Sequence, residues 1–89
     1  MNILFSEKAW SEYVNWQKED KKILKKINNL IKDIQRNGML NGIGQPELLK
    51  YGFTGLCSRR ITQEHRLIYA QDKNGNLVIL KCRGHYDSF

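Results

Sequence analysis

The sequence predicts an α+β fold: two N-terminal helices packed on one face of a mostly antiparallel sheet of four to five strands. Three observations point to it. Helical periodicity fills the first part of the chain, and period-two alternation fills the part from Leu48 onward. Between them lies a stretch without periodicity that holds Gly42, Gly44 and the only proline, Pro46. The 89 residues fit one domain spanning 1–89, and a composition of 40% hydrophobic and 27% charged residues is that of a globular chain.

The elements follow in order. A short apolar run at about residues 2–5 reads as a first strand, and Ser6 after it is a good N-cap. A helix is expected from about 7 to 18, with Ala9, Trp10, Tyr13, Val14 and Trp16 mostly at helical spacing. A second helix is expected from about 20 to 35. Its Ile23, Leu24, Ile27, Leu30, Ile31 and Ile34 form one stripe of a 3.6-residue period, and Lys21, Lys22, Lys25, Lys26 and Lys32 fall outside it. Asn37-Gly38 supplies a left-handed stop, and a loop covers 38–47. The sheet then occupies 48–83. A short strand is expected around Leu48–Tyr51, followed by strands at 56–62, 65–71 and 76–83, with Asn74-Gly75 as a hairpin turn. The sheet face away from the helices is expected to be open to water and to carry the function.

Composition removes several classes. The longest apolar run, Leu77 to Leu80, is far short of the ~20 residues of a membrane span, so no membrane association is expected. The N-terminus does not read as a signal peptide, and the expected location is cytoplasmic. Cys57 and Cys82 show no zinc spacing and read as small buried hydrophobes. No metal and no cofactor are expected. The net charge of +6 points to a polyanionic partner.

Between Leu56 and Tyr86 stand six Lys/Arg and two acids. Arg60, Arg66 and Arg83 are either a phosphate clamp on one sheet face or solvated charges that discourage edge pairing. Alternation puts Cys57, Arg59 and Ile61 on one face and Ser58 and Arg60 on the other; whether Arg60 and Arg66 share a face depends on register. His65 reads as a strand-edge polar residue. His85, followed by Tyr86, reads either as another such residue or as an acid/base group beside a stacking platform. Glu47 alone is a bland carboxylate at a loop-to-strand junction.

The strings Trp10…Tyr13…Trp16, Lys21-Lys22-Ile23…Lys25-Lys26-Ile27-Asn28, Pro46-Glu47-x-Leu49-Lys50, Ser58-Arg59-Arg60-Ile61-Thr62-x-Glu64-His65-Arg66-Leu67-x-Tyr69 and Cys82-Arg83-x-His85-Tyr86 together resemble the YoeB (Txe/YoeB) toxins of the RelE superfamily. The resemblance covers about residues 2–86. It implies a microbial-RNase-like fold and a toxin of a type II toxin–antitoxin system that cleaves mRNA in the ribosomal A site. It implies Glu47 as general base, His85 as general acid and Arg66 as the group that stabilises the phosphorane. Lys50 and Arg60 would support the phosphate, and Tyr86 would stack on or orient a base, in a catalytic C-terminus at 84–89. RNA supplies its own 2′-OH nucleophile, so a base, an acid and electrostatic stabilisation suffice. The implied partners are mRNA, the ribosome and its rRNA, and a cognate antitoxin with an acidic, partly disordered C-terminal segment. Operator DNA would be met only through the antitoxin complex, and a homodimer is admitted.

The chain departs from the family pattern at Cys57, where many relatives carry a bulky aromatic, at Gly84, and in the Asp87-Ser88-Phe89 tail. Two other readings stand beside the toxin: a non-catalytic nucleic-acid-binding module acting in a repressor complex, and an inactive structural partner. A pure phosphate binder gains nothing from a carboxylate such as Glu47 in its basic patch.

Overall fold

A computed structural model describes residues 1–85. Tyr86 and the Asp87-Ser88-Phe89 tail lie outside the described residues. The order is β1 (Ile3–Phe5), α1 (Glu7–Glu19), α2 (Lys21–Asn37), β2 (Glu47–Leu48), β3 (Cys57–Arg60), β4 (Arg66–Gln71) and β5 (Leu77–Lys81). The strands form one five-stranded sheet in the order β1-β5-β4-β3-β2. β1 runs parallel to β5, and every other pairing is antiparallel.

The first helix starts at the expected cap, and Asp20, read from the sequence as the first residue of the second helix, is its N-cap instead. Ser6 Oγ accepts from Ala9 N–H at 3.1 Å, and Asp20 Oδ1 accepts from Lys22 N–H and Ile23 N–H. The second helix runs two residues beyond its expected end, because Gly38, with φ +95°, closes it by donating its N–H to Ile34 O. The α2 stripe meets Ala9 and Trp16 of α1 and the inward residues Cys57, Ile61, Leu67, Tyr69, Leu77 and Ile79 of the sheet side. Each fully buried aliphatic here, such as Ile27, Leu30 or Ile34, contributes about 1.5–3 kcal/mol.

The strands are shorter than alternation suggests, for identifiable reasons. Ile61 N–H and Thr62 N–H both donate to His65 O, so the chain turns at once after Arg60. Cys82 N–H donates to the Glu12 carboxylate at 2.8 Å rather than to a strand, which ends β5 at Lys81. Of the expected 48–51 strand only Leu48 is paired, together with Glu47 from the end of the expected 38–47 loop, and Tyr51 lies in a turn.

The second sheet face is a correction to the expectation of open water. Register places Glu47, Ser58, Ile68 and Lys81 side by side across four strands on that face. Ser58, Ile68 and Lys81 are buried, while Glu47 is exposed. Leu49 and Ile68 are buried apolar residues outside the helix-side cluster, and register puts Ile68 on this face.

Arg59 was placed by alternation on the face of Cys57 and Ile61, but its role was not foreseen. It is fully buried. Its Nη1 pairs with Asp33 Oδ2 at 2.6 Å and donates to Ile43 O, its Nη2 donates to Gly38 O and Asn41 O, and its Nε donates to Tyr69 Oη. Tyr69 Oη in turn donates to Met39 O at 2.6 Å. The aperiodic 38–44 segment is therefore wrapped around one guanidinium, which satisfies carbonyls that a helix or strand would otherwise have paired.

Three carboxyls are held below their ordinary range by hydrogen bonds. Asp33 accepts chiefly from Ile43 N–H and also from Arg59 and Asn37, Asp72 accepts chiefly from Asn76 N–H, and Glu19 accepts from Arg83. A folded carboxyl with a depressed pKa contributes stability at pH values above the unfolded value, and that stability is lost as pH falls through the folded value. The ordinary values are 3.8 for the aspartates and 4.5 for the glutamate. Urea midpoints are expected to show no contribution from these groups to pH dependence above about pH 5.5 and to fall increasingly below it. A midpoint that rose on acidification through that range would contradict the assignment.

Both cysteines are buried, as expected from the sequence. Burial pushes the Cys57 thiol up, and it pushes Cys82, whose Sγ lies 3.7 Å from Ala9 O, up to about 12. Thiolate is the reactive form. Mass spectrometry after iodoacetamide treatment at mildly alkaline pH is therefore expected to find neither cysteine alkylated in the folded protein and both alkylated after denaturation.

Candidate active site

Four adjacent strands or strand ends deliver the candidate residues. Arg60 on β3 stands directly opposite Arg66 on β4, so both side chains leave the same face. This settles the register question left open by the sequence. Glu47 on β2 stands opposite Ser58, which is two residues from Arg60 on the same face of β3. That spacing is about 6.6 Å along the strand. Past the end of β5, Gly84 O accepts from Arg66 N–H at 3.0 Å, which places His85 beside the start of β4. Read across the sheet, the backbone order is His85, Arg66, Arg60, Glu47, with the cations between the histidine and the carboxylate.

Arg66 is partly buried and oriented by its own turn. Its Nη1 donates to Thr62 O at 2.7 Å and to Gln63 O and His65 O at 3.1 Å. Its Nε and Nη2 make no hydrogen bond among the described residues and remain available to an anion. Arg60 is exposed and lines a polar depression of about 360 Å³ with Lys26, Gln45, Thr62 and Gln63. Like charges directly opposite each other in a sheet cost roughly 0.2–1 kcal/mol, and an anion between them removes that cost. Glu47 and Lys50 are both exposed and share the wall of a shallow cavity of about 290 Å³ with Tyr51 and Phe53.

The third arginine of the proposed clamp is elsewhere. Arg83 forms a two-point ion pair with Glu19, at 2.6 and 3.0 Å, and lies over the Trp16 ring at 4.2 Å from its centroid. It ties the C-terminal segment to α1 and is not part of the Arg60–Arg66 pair. Tyr86 lies outside the described residues.

His65 has a part that its sequence position did not announce. Its Nδ1 accepts from Gly84 N–H at 2.9 Å, and its ring meets Trp16 edge-on with centroids 4.9 Å apart. Trp16 Nε1 donates to Cys82 O at 2.9 Å. With Arg66 N–H on Gly84 O, these bonds fasten the backbone immediately before His85 on several sides. Adjacency to Arg66 was the only hint in the sequence; alternation carries no information about a bond across 19 residues. Among the described residues no three His, Cys, Asp or Glu side chains come together in a way that holds a metal, and no helix is long and apolar enough to cross a membrane.

The profile of the YoeB-like toxins of bacterial type II toxin–antitoxin systems matches residues 5–86. The chain belongs to this family. It is 50% identical to Toxin YoeB of Escherichia coli strain K12 over 86 residues, which cover 97% of this chain and 100% of that one. Two Staphylococcus aureus structures superpose closely. One is a YoeB–YefM toxin–antitoxin heterotetramer, with a TM-score of 0.88 and 52% identity. The other is a YoeB dimer, with a TM-score of 0.89 and 51% identity. Each match covers 97% of this chain and 98% of the other. The α+β fold read from the sequence is thus the fold of YoeB toxins, and the family resemblance carried by the Ser58–Tyr69 block is confirmed.

Proposed function

We propose that this YoeB-family toxin is a ribosome-dependent endoribonuclease that cuts mRNA in the A site and so stops translation. The observation that carries the proposal is the order Glu47, Arg60, Arg66, His85 across adjacent strands, with two opposed arginines in the middle. Displacement at phosphorus needs a base on the attacking side, an acid on the leaving side and cations around the developing charge. Glu47 takes the proton of the ribose 2′-OH, and O2′ attacks the adjacent phosphorus. Arg66 stabilises the pentavalent intermediate, with Arg60 and Lys50 holding the non-bridging oxygens. His85 protonates the leaving O5′. The products are a 2′,3′-cyclic phosphate and a 5′-OH. Tyr86 is assigned by family resemblance to stack on or orient an A-site base.

The small, open site leaves substrate alignment to the ribosome. The exposed lysines of α2 suit diffuse attraction to rRNA phosphates. An acidic, partly disordered antitoxin segment folding onto the basic face is the proposed inhibitor, in keeping with the S. aureus toxin–antitoxin complex, and a homodimer is in keeping with the S. aureus dimer. Operator DNA would be reached only through the antitoxin, and the proposed site of action is the cytoplasm. The test is an A-site codon carrying a single 2′-deoxy substitution at the cleaved nucleotide. Cleavage of that message on ribosomes is expected to disappear while the ribo form is cut; equal cutting of both would remove the 2′-OH mechanism.

A further inference from the structure

The segment from Leu49 to Leu56 closes on itself. Leu49 N–H donates to Leu56 O at 2.9 Å, and Leu56 N–H donates to Phe53 O at 3.0 Å. Its tip is Lys50-Tyr51-Gly52-Phe53, and both central residues have positive φ, +51° at Tyr51 and +84° at Gly52. Two successive positive values are the pattern of a type I′ turn, whose first central position favours asparagine, aspartate or glycine. Gly52 meets the requirement without cost. Tyr51 does not, because a side chain in the left-handed region crowds its own backbone.

Among the described residues nothing compensates for this choice. The Tyr51 side chain is 93% exposed, and no hydrogen bond of its hydroxyl is seen among the described residues. An aromatic that is strained and unpacked contributes no folding energy, and strain of this kind concentrates at binding sites. The place of Tyr51 is equally specific: it borders the same cavity as Glu47 and Lys50. A ring beside a cation and a carboxylate matches one nucleotide of a single strand, with the base on the ring and the phosphate on the cation.

We propose that Tyr51 is a stacking platform for an RNA nucleobase at the Glu47 end of the site. The proposal rests on the RNA-cleaving reading for the identity of the ligand, but it is separable from it by experiment.

The test uses the full chain with Tyr51→Phe, Tyr51→Ala and Tyr51→Gly. Binding is measured to ribosomes whose A-site codon is 2′-O-methylated and uncleavable, and to ribosomes without message. Tyr51→Phe is expected to bind within about twofold of wild type, and Tyr51→Ala and Tyr51→Gly to bind about five- to a hundredfold more weakly. Tyr51→Gly is also expected to melt at or above the wild-type temperature, because glycine suits the left-handed position. Its loss of binding therefore cannot come from misfolding. A loss confined to programmed ribosomes assigns the stacked base to the message, and an equal loss on both assigns it to rRNA. Tyr51→Gly binding like wild type to both would overturn the proposal. Tyr51-dependent binding by a protein that leaves an unmodified message intact would instead remove the cleavage reading and leave the platform standing.

Discussion

Glu47→Gln is expected to lower the rate of mRNA cleavage on programmed ribosomes by about 10²–10⁴-fold while leaving the fold unchanged. Glutamine keeps the shape and polarity of the side chain but cannot accept the 2′-OH proton. Glu47 is exposed and its carboxylate makes no hydrogen bond among the described residues, so the substitution leaves the strand pairing with Ser58 intact. Single-turnover cleavage and a thermal melt of the same preparation separate the two effects. In cells, induced wild type is expected to arrest growth and Glu47→Gln to be tolerated. Full toxicity of Glu47→Gln would remove the base assignment. Arg66→Ala should also be tolerated, with part of its effect structural, because its Nη1 bonds to Thr62, Gln63 and His65 carbonyls close the turn after β3.

Arg59→Met is expected to destabilise the protein by about 3–5 kcal/mol. Methionine fills much of the volume but leaves Gly38 O, Asn41 O, Ile43 O, Tyr69 Oη and the Asp33 carboxylate without the donor that serves them all. Urea unfolding measures the loss directly. The same substitution is expected to loosen the 38–44 segment, which leads into Glu47, and Arg60 N–H donates to the last of its carbonyls, Gly44 O, at 2.7 Å. Amide exchange in 38–44 should rise more than in β4. A loss below about 1 kcal/mol, the size seen for surface ion pairs, would show that the network is not holding the loop.

The helices and most of the sheet were legible because their residues are chosen by local rules. The stripe from Ile23 to Ile34, the cap Ser6 and the alternation through β3–β5 each specify a backbone period or a terminus, and each is found in the structure. Register was not legible. The Arg60–Arg66 pairing depends on a turn fixed by Ile61, Thr62 and His65 backbone groups, which alternation does not encode. Arg59 was illegible for a related reason: a charge on an inward-facing position has meaning only once its distant partners, Asp33 and the 38–44 carbonyls, are known. Glu47 and His85 were bland as isolated residues and gained their roles from family resemblance. Their placement on either side of the arginine pair is a product of strand order.

The most direct test of the central claim is primer extension on a message carried by translating ribosomes, run beside the same RNA free in solution. The account predicts cuts within the A-site codon, ends bearing a 2′,3′-cyclic phosphate and a 5′-OH, and strong cleavage only on ribosomes. An uncut message, or equal cutting of free RNA, would contradict it.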